Sequence, residues 1–157
     1  MATKTNAVRI VQQSGIPCRE EFYEFDEHDL NGNHAAAAIG KPAEEVFKTL
    51  VARGERTGIN VFCIPVCCEL DLKKAAKAVN EKSIEMIKSK ELLPLTGYIH
   101  GGCSPIGMKK QFKTVIDASA TSFETILFSG GKIGYQVKTS LDELKKLLHF
   151  ELSDISD

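Results

Sequence analysis

Long apolar runs are missing from this sequence: none approaches the roughly 20 residues needed to cross a bilayer. The N-terminus, Met1-Ala2-Thr3-Lys4-Thr5-Asn6, lacks the apolar centre of a signal peptide. Both absences point to a cytoplasmic protein. Net charge is nearly missing too. Lys and Arg number 20 against 21 Asp and Glu, leaving −1, so overall charge gives no reason to expect a nucleic-acid binder. Cysteine is present, but not as a framework. Cys18, Cys63, Cys67, Cys68 and Cys103 are an odd set in a chain without an export signal, which argues against paired disulfides. The run Cys63-x-x-x-Cys67-Cys68 holds no C-x-x-C pair and has no histidine near it, so it makes a poor metal site. Cys63 sits in the apolar run Val61-Phe62-Cys63-Ile64, where cysteine behaves as a small buried hydrophobe.

What is there suits one domain. The 157 residues fall within the roughly 100–200 of a single unit, and no linker, repeat or low-complexity tract divides them. Hydrophobic residues at 43% and charged residues at 26% are ordinary for a folded domain. The charge is uneven along the chain. Lys73, Lys74 and Lys77 cluster on one predicted helix, and Lys109, Lys110 and Lys113 follow a glycine-rich loop. These are either solvated faces or a pair of phosphate-steering patches.

Apolar spacing sets out the elements. Ala7, Val8, Ile10 and Val11 predict a helix stopped by Gly15. Cys18 to Phe25 reads as a strand, Asp26 to Asn33 as a polar loop, and His34 to Ile39 as a short helix closed by Gly40. Val46 to Ala52 and Ile59 to Val66 form a hairpin around Arg53–Gly58. A lysine-rich helix over Leu72–Val79, a strand over Ser83–Ile87 and a helix over Lys88–Leu95 follow. Phe112–Asp117 and Thr125–Phe128 are strands by their β-branched and aromatic content. A tight turn at Ser129–Lys132 leads into a strand over Ile133–Lys138. Ser140-Leu141-Asp142-Glu143 is a capping box for a helix carrying Leu141, Leu144, Leu147 and Leu148 on one face. Phe150–Ile155 is a closing edge strand. Hairpins outnumber helical crossovers, so the expectation is an α+β fold with a twisted, mixed, mostly antiparallel sheet and flanking helices.

Chemistry concentrates in a few places. Two glycine-rich loops, Gly97–Gly107 and Ser129–Gly134, match neither a Walker A loop nor a dinucleotide fingerprint. They are ordinary turns, or backbone brought close to a ligand with N–H groups free to face an oxyanion or phosphate. Lys48 lies mid-strand between apolar residues. On a half-exposed sheet it would point to solvent; lining a cavity, its ammonium would be a fixed charge in a dry place. Nucleophiles are weakly marked. Ser104, Ser129, Cys103 and Cys67 qualify by type alone, and no nucleophile elbow is present. His28, His34, His100 and His149 are scattered, and Asp26-Glu27-His28-Asp29 reads as a solvated loop more readily than as a metal site.

Several segments taken together resemble a known family. Val46-Phe47-Lys48-Thr49-Leu50, Leu70-Asp71-Leu72-Lys73-Lys74-Ala75-Ala76-Lys77, Thr96-Gly97-Tyr98 through Gly101-Gly102 and Pro105 to Gly107, Lys109-Lys110, Phe123-Glu124-Thr125-Ile126 and Ser129-Gly130-Gly131-Lys132 occur in the order found in YbaK/EbsC-type Cys-tRNA(Pro) deacylases. The resemblance spans nearly the whole chain and implies one aminoacyl-tRNA editing domain over residues 1–157, its sheet closing toward a barrel. The implied activity is release of cysteine mischarged onto proline tRNA, acting in trans. The implied partners are the aminoacyl-tRNA 3′ end and prolyl-tRNA synthetase; no membrane, metal or organic cofactor is implied. Lys48 falls on the family's required lysine. Gly101 falls on the first loop motif, and Ser129, Gly130 and Gly131 on the second, with Thr49 beside the lysine. Tyr23 or Phe25 fills the place of the pocket aromatic. In the mechanism proposed for the family the substrate's own thiol attacks the ester, which accounts for the missing nucleophile.

Other readings stay open at this point. The same fold could clear alanine or serine by water attack. The chain could be a non-catalytic tRNA- or synthetase-binding module, or a hydrolase using Cys103 or Cys67.

Overall fold

The computed structural model describes residues 5–15, 19–22 and 42–157. Helix α1 (Asn6–Ser14) is the one expected from Ala7, Val8 and Val11, which are buried. Thr5 caps it by accepting from the Val8 N–H, and Gly15 ends it in the left-handed region at φ 74°. Strand β1 (Arg19–Phe22) falls within the first expected strand. The Tyr23–Phe25 end of that strand, the Asp26–Asn33 loop and the His34–Ile39 helix lie outside the described residues.

Strands β2 (Phe47–Gly54) and β3 (Gly58–Pro65) form the expected hairpin, with Gly54 opposite Gly58 at its closed end. Glu81 locks that end. Its Oε2 accepts from the Arg56 N–H at 2.8 Å, the Thr57 N–H at 2.6 Å and the Thr57 hydroxyl at 2.8 Å. Helix α2 (Leu72–Ala78) starts on Asp71, whose carboxylate accepts from the N–H groups of Lys73 and Lys74. Strand β4 (Ile84–Met86) and helix α3 (Ser89–Thr96) follow. Strand β5 (Lys113–Asp117) leads through a 3-10 turn (Ala118–Ser122) to β6 (Ile126–Ser129) and β7 (Tyr135–Thr139). Helix α4 (Leu141–Leu144) and edge strand β8 (Glu151–Ser153) close the chain.

The sequence misplaces two boundaries, each for a local reason. The β6–β7 connection is wider than a tight turn, because the Gly130 N–H bonds the Tyr135 carbonyl at 2.8 Å and β7 starts only at Tyr135. Helix α4 is a single turn. Bonds from Lys146 to Glu143 and from Leu147 to Leu144 tighten the chain beyond it, yet Leu144 and Leu148 still reach the core.

The strands form two sheets, β1-β7-β6 and β4-β2-β3-β5-β8. Pairs β1–β7, β2–β3, β2–β4 and β6–β7 are antiparallel; β3–β5 and β5–β8 are parallel. The fold is therefore mixed α+β with mostly antiparallel pairing. The main core lies between the sheets. Phe47, Val51 and Val61 meet Ile126, Phe128, Tyr135 and Val137 there, with Val8 and Val11 of α1 and Leu144 and Leu148 packed on. A second cluster seats Ala75, Ala76 and Val79 of α2 on Ala52, Phe62, Ile64 and Val115, the opposite face of the larger sheet. Burying a side chain such as Phe62 stabilises the fold by about 1.5–3 kcal/mol.

The expectation of a sheet closing toward a barrel needs correction. Among the described residues neither sheet closes. They meet at one seam, where Val46 bridges Leu127 in parallel and the Leu127 N–H bonds the Glu45 carbonyl at 2.9 Å. The same edge of β2 is taken up again only from Val51 onward, by Ile87 and β4. Between these contacts the outer edge of β2 from Phe47 to Leu50 has no strand partner among the described residues. This unpaired stretch of the β2 edge beside the bridge is a slot in the strand pairing of the described residues, not a closed wall.

Candidate functional site

The slot is where the sequence-predicted lysine lies. Side chains alternate along β2. Phe47 and Val51 enter the inter-sheet core, so Lys48 points from the other face, the one carrying Leu50 and Ala52. Its cross-strand partner is Ile64, which is fully buried. Lys48 is half-buried and makes no hydrogen bond or ion pair among the described residues. Other basic residues do: Arg53 pairs with Glu91 at 3.0 Å, Lys74 with Asp154 at 3.1 Å and Lys146 with Glu143 at 2.9 Å.

Strand parity brings Ser129 to the same face. Val46 and Leu127 face each other at the parallel bridge, and two residues further along each strand come Lys48 and Ser129. Ser129 is 7% exposed, and its hydroxyl accepts from the Gly131 N–H at 3.1 Å. That bond leaves the hydroxyl proton free to donate. Directly opposite Ser129 in the β6–β7 register is Gln136, only 6% exposed, and its Oε1 has no hydrogen-bond partner among the described residues. A buried carbonyl oxygen without a donor costs about 1–3 kcal/mol, which makes Gln136 a candidate acceptor for a donor brought by a ligand. Sequence reasoning missed Gln136. The signal for it is the two-residue period of β7: Tyr135 and Val137 point into the core, so Gln136 points with Ser129.

The two glycine loops adjoin. A Cβ on Gly102 would lie 2.8 Å from the Lys132 Cα and 2.9 Å from the Ile133 N, so only glycine allows this approach. Gly131 adopts φ +104°, and a side chain there would strike Thr5 and Tyr98. Gly130 lies against the Tyr135 ring. Gly101, at φ +86°, stands exposed at the crest of the first loop beside buried Gly102. Helix α1 ties both loops down: the Thr5 hydroxyl donates to the Gly130 carbonyl, and the Asn6 amide donates to the Gly107 carbonyl at 2.7 Å. Tyr98 closes the first loop by donating its hydroxyl to the Ile106 carbonyl at 2.6 Å. Thr5 and Asn6 carry no sequence signal for this role beyond Thr5 as a helix cap.

Other candidates fall away from this arrangement. Thr49 points to the core face, with Oγ1 3.8 Å from the Cys63 Sγ, so it offers the site its main chain and not its hydroxyl. Tyr23 and Phe25 lie outside the described residues. Ser104 is fully buried and accepts from the Ile106 N–H. Burial pushes the Cys103 and Cys63 thiols up to about 12, so neither supplies a thiolate near neutrality. Cys67 is exposed, but partial desolvation and the adjoining Cys68 thiol, 3.8 Å away, raise it as well. His100 and His149 are exposed, and neither forms a pair with a candidate nucleophile. Among the described residues no group of three or more His, Cys, Asp or Glu is placed to hold a metal ion. No helix among them is long and apolar enough to cross a membrane. A cleft lined by Arg53, Gly54, Glu55, Ser83, Ile84 and Glu85 sits at the far end of β2 from Lys48 and contains none of the site residues.

A lysine, a serine and two interlocked glycine loops on a two-sheet α+β frame form a set of groups of the class that can meet an anion or a carbonyl oxygen with fixed charge and main chain. Comparison with known proteins gives that class its family. Residues 32–147 match the model of the aminoacyl-tRNA editing domain, and the chain belongs to that family. It is 42% identical over 153 residues, 98% of this chain and 93% of the relative, to an Enterococcus faecalis protein carrying the provisional name Cys-tRNA(Pro)/Cys-tRNA(Cys) deacylase EbsC. It is 25% identical over 123 residues to the uncharacterised protein YwhH of Bacillus subtilis, covering 78% of each. Among solved structures, one described provisionally as a trans-editing enzyme for prolyl-tRNA synthetase superposes with TM-score 0.84 at 22% identity, covering 99% of both chains. The hypothetical protein APE2540 superposes with TM-score 0.86 at 21% identity, covering 98% of this chain and all of the other. These two likenesses speak to the fold.

Proposed function

We propose that this chain, as a single editing domain over residues 1–157, is a cytoplasmic trans-acting deacylase that releases cysteine from mischarged Cys-tRNA(Pro). The observation that carries the reading is that Lys48, which has no ion pair among the described residues, shares one face of the seam with Ser129, in a chain 42% identical to a protein named for this activity. The substrate is the aminoacylated 3′ end of a tRNA, and prolyl-tRNA synthetase is the partner that delivers it.

Among the described residues no buried nucleophile with a lowered pKa supports a covalent enzyme intermediate, and the substrate's own thiol fits the gap. Its sulfur forms a bond to the ester carbonyl carbon. The carbon–oxygen bond to the ribose breaks, the thiol proton ends on the ribose oxygen, and the amino acid leaves as a cyclic thioester. The enzyme then supplies position and charge. Lys48 faces the carbonyl oxygen or terminal phosphate. Ser129 donates its hydroxyl, and the Gln136 carbonyl accepts from the amino group or a ribose hydroxyl. Gly101, Gly130 and Gly131 let the terminal adenosine approach the main chain, the Thr49 backbone lines the slot, and Tyr23 or Phe25 walls the pocket.

The test is release from a matched panel of Cys-tRNA(Pro), Ser-tRNA(Pro) and Ala-tRNA(Pro). Cleavage confined to the cysteine ester supports the thiol route. Equal cleavage of the serine or alanine ester replaces it with water attack on the same site, and no cleavage of any ester leaves a binding module. Lys48→Ala is expected to lower kcat by about 10²–10³-fold, and wild-type turnover in that variant would end the assignment.

A further inference from the structure

The deacylase reading seats the terminal adenosine at the glycine loops but leaves the nucleotides that precede it without a seat, and the crest of the first loop offers one. We propose that this crest, Ile99-His100-Gly101, with Lys109, Lys110 and Lys132 around it, is the surface on which the single-stranded nucleotides preceding the terminal adenosine of the substrate RNA dock. The lysines meet phosphates, and the His100 ring and Ile99 side chain meet a base. The proposal rests on the deacylase reading for the identity of the RNA.

Charge is segregated along the chain in the way such a surface requires. No acidic residue occurs between Glu91 and Asp117, or between Glu124 and Asp142, and these two stretches hold both glycine loops. In a protein with net charge −1, both loops thus lie in stretches whose own charges are all positive. Lys109, Lys110 and Lys132 form no ion pair among the described residues, whereas Lys113 in the same stretch is held by Glu151 at 3.7 Å. Two of the three are anchored against the loops. The Lys109 stem lies over Gly97, where a Cβ would be 3.4 Å from its Cγ, and the Lys132 backbone meets Gly102. The Lys132 ammonium lies 5.7 Å from the Tyr135 ring centroid, which holds it without neutralising it.

The crest between these lysines is shaped for stacking. Ile99 is 50% exposed, and His100 and Gly101 are exposed beside it, while Gly102 to Ile106 are buried. An apolar side chain and an imidazole are displayed together there, and each matches the face of a base. The platform is also rigid. The Gly102 N–H bonds the Ile99 carbonyl at 3.0 Å, and the Tyr98–Ile106 and Asn6–Gly107 bonds hold the loop at both ends. A ligand settling on it therefore orders little.

The experiment uses an RNA hairpin with a single-stranded 3′ end, uncharged for binding across a salt series and cysteine-charged for turnover. Lys109→Ala with Lys110→Ala is expected to lower the slope of log K against log salt by about 1.4–1.8. It should raise KM severalfold while kcat stays within about twofold, as expected for lost ground-state binding. His100→Ala should weaken binding by about fivefold or more without changing the slope, and His100→Phe should restore it. An unchanged slope in the lysine variant, or a slope that falls instead in Lys73→Ala with Lys77→Ala on α2, would overturn the proposal. Absence of turnover by the wild type on every charged hairpin, with the Lys109/Lys110-dependent slope intact, would remove the deacylase reading and leave the docking surface standing.

Discussion

Gln136 and Lys48 share a physical oddity: each holds a polar group at the slot that the described fold does not use. For Gln136 the consequence is a trade between stability and activity. Replacing it with leucine removes a buried acceptor without a donor and keeps the volume, so the fold should be unharmed or firmer by up to about 1–3 kcal/mol. Turnover of Cys-tRNA(Pro) should fall about tenfold or more if the carbonyl positions substrate. Urea unfolding and steady-state kinetics on the same variant check both halves; a variant that loses stability and keeps kcat would make Gln136 a structural residue. Cys103 presents the opposite case. It is buried in the main core with its thiol pushed up to about 12, so Cys103→Ala should cost stability through lost packing and leave kcat near wild type. A loss of kcat by several orders of magnitude would instead revive the cysteine-nucleophile hydrolase.

At the scale of elements, the sequence told helix from strand well where the apolar period was clear. The β2–β3 hairpin, α1, α2 and the β8 edge strand lie within a residue or two of where periodicity puts them. It failed where one hydrogen bond set the geometry, as at the Gly130–Tyr135 bond that widens the β6–β7 connection. The candidate site was partly legible. Lys48 and the two glycine loops stood out by residue type, and the resemblance ordered them. That Lys48 and Ser129 share a face follows only from the Val46–Leu127 bridge, a long-range pairing no local pattern encodes. The part played by α1 was invisible for the same reason. Thr5 caps the helix and also donates to Gly130, so a Thr5→Ala change removes both and should cost about 0.5–2 kcal/mol from the cap alone. Thr5→Ser keeps both bonds and should behave as wild type. Asn6→Ala cuts only the Gly107 bond and spares the cap. If the helix positions the loops, Thr5→Ala and Asn6→Ala should both lower kcat/KM, with hydrogen exchange rising at the loop amides. Unchanged kinetics with lower melting temperatures would reduce α1 to packing.

The whole molecule should be most stable on a plateau bounded by buried ionisable groups of opposite behaviour. Burial pushes the Asp117 carboxyl up, but bonds from the Ser119, Ile155 and Ser156 N–H groups outweigh it and hold the pKa below its usual value. The Thr57 N–H, with the Thr57 hydroxyl and Arg56 N–H, likewise holds Glu81 low. Unfolded carboxyls near pH 4 bind protons that these two refuse, so the stability they supply is complete above about pH 5 and drains as pH falls through the folded values. On the alkaline side the sign reverses. Unfolded thiols ionise near pH 8.5, while burial keeps Cys63 and Cys103 protonated up to about 12. The unfolded chain therefore binds fewer protons above about pH 8.5, and stability falls from there as pH rises. Tyr98, raised by burial to about 12, extends the same limb upward from about pH 10. Urea midpoints measured at pH 3.5, 5, 7, 9 and 10 should trace both slopes. Asp117→Asn with Glu81→Gln should lower the plateau and flatten the acid limb, whereas Cys63→Ala with Cys103→Ala should flatten the alkaline limb between about pH 8.5 and 10. An acid limb as steep in the Asp117/Glu81 variant as in the wild type would mean that neither carboxylate is held by the fold as the hydrogen bonds indicate.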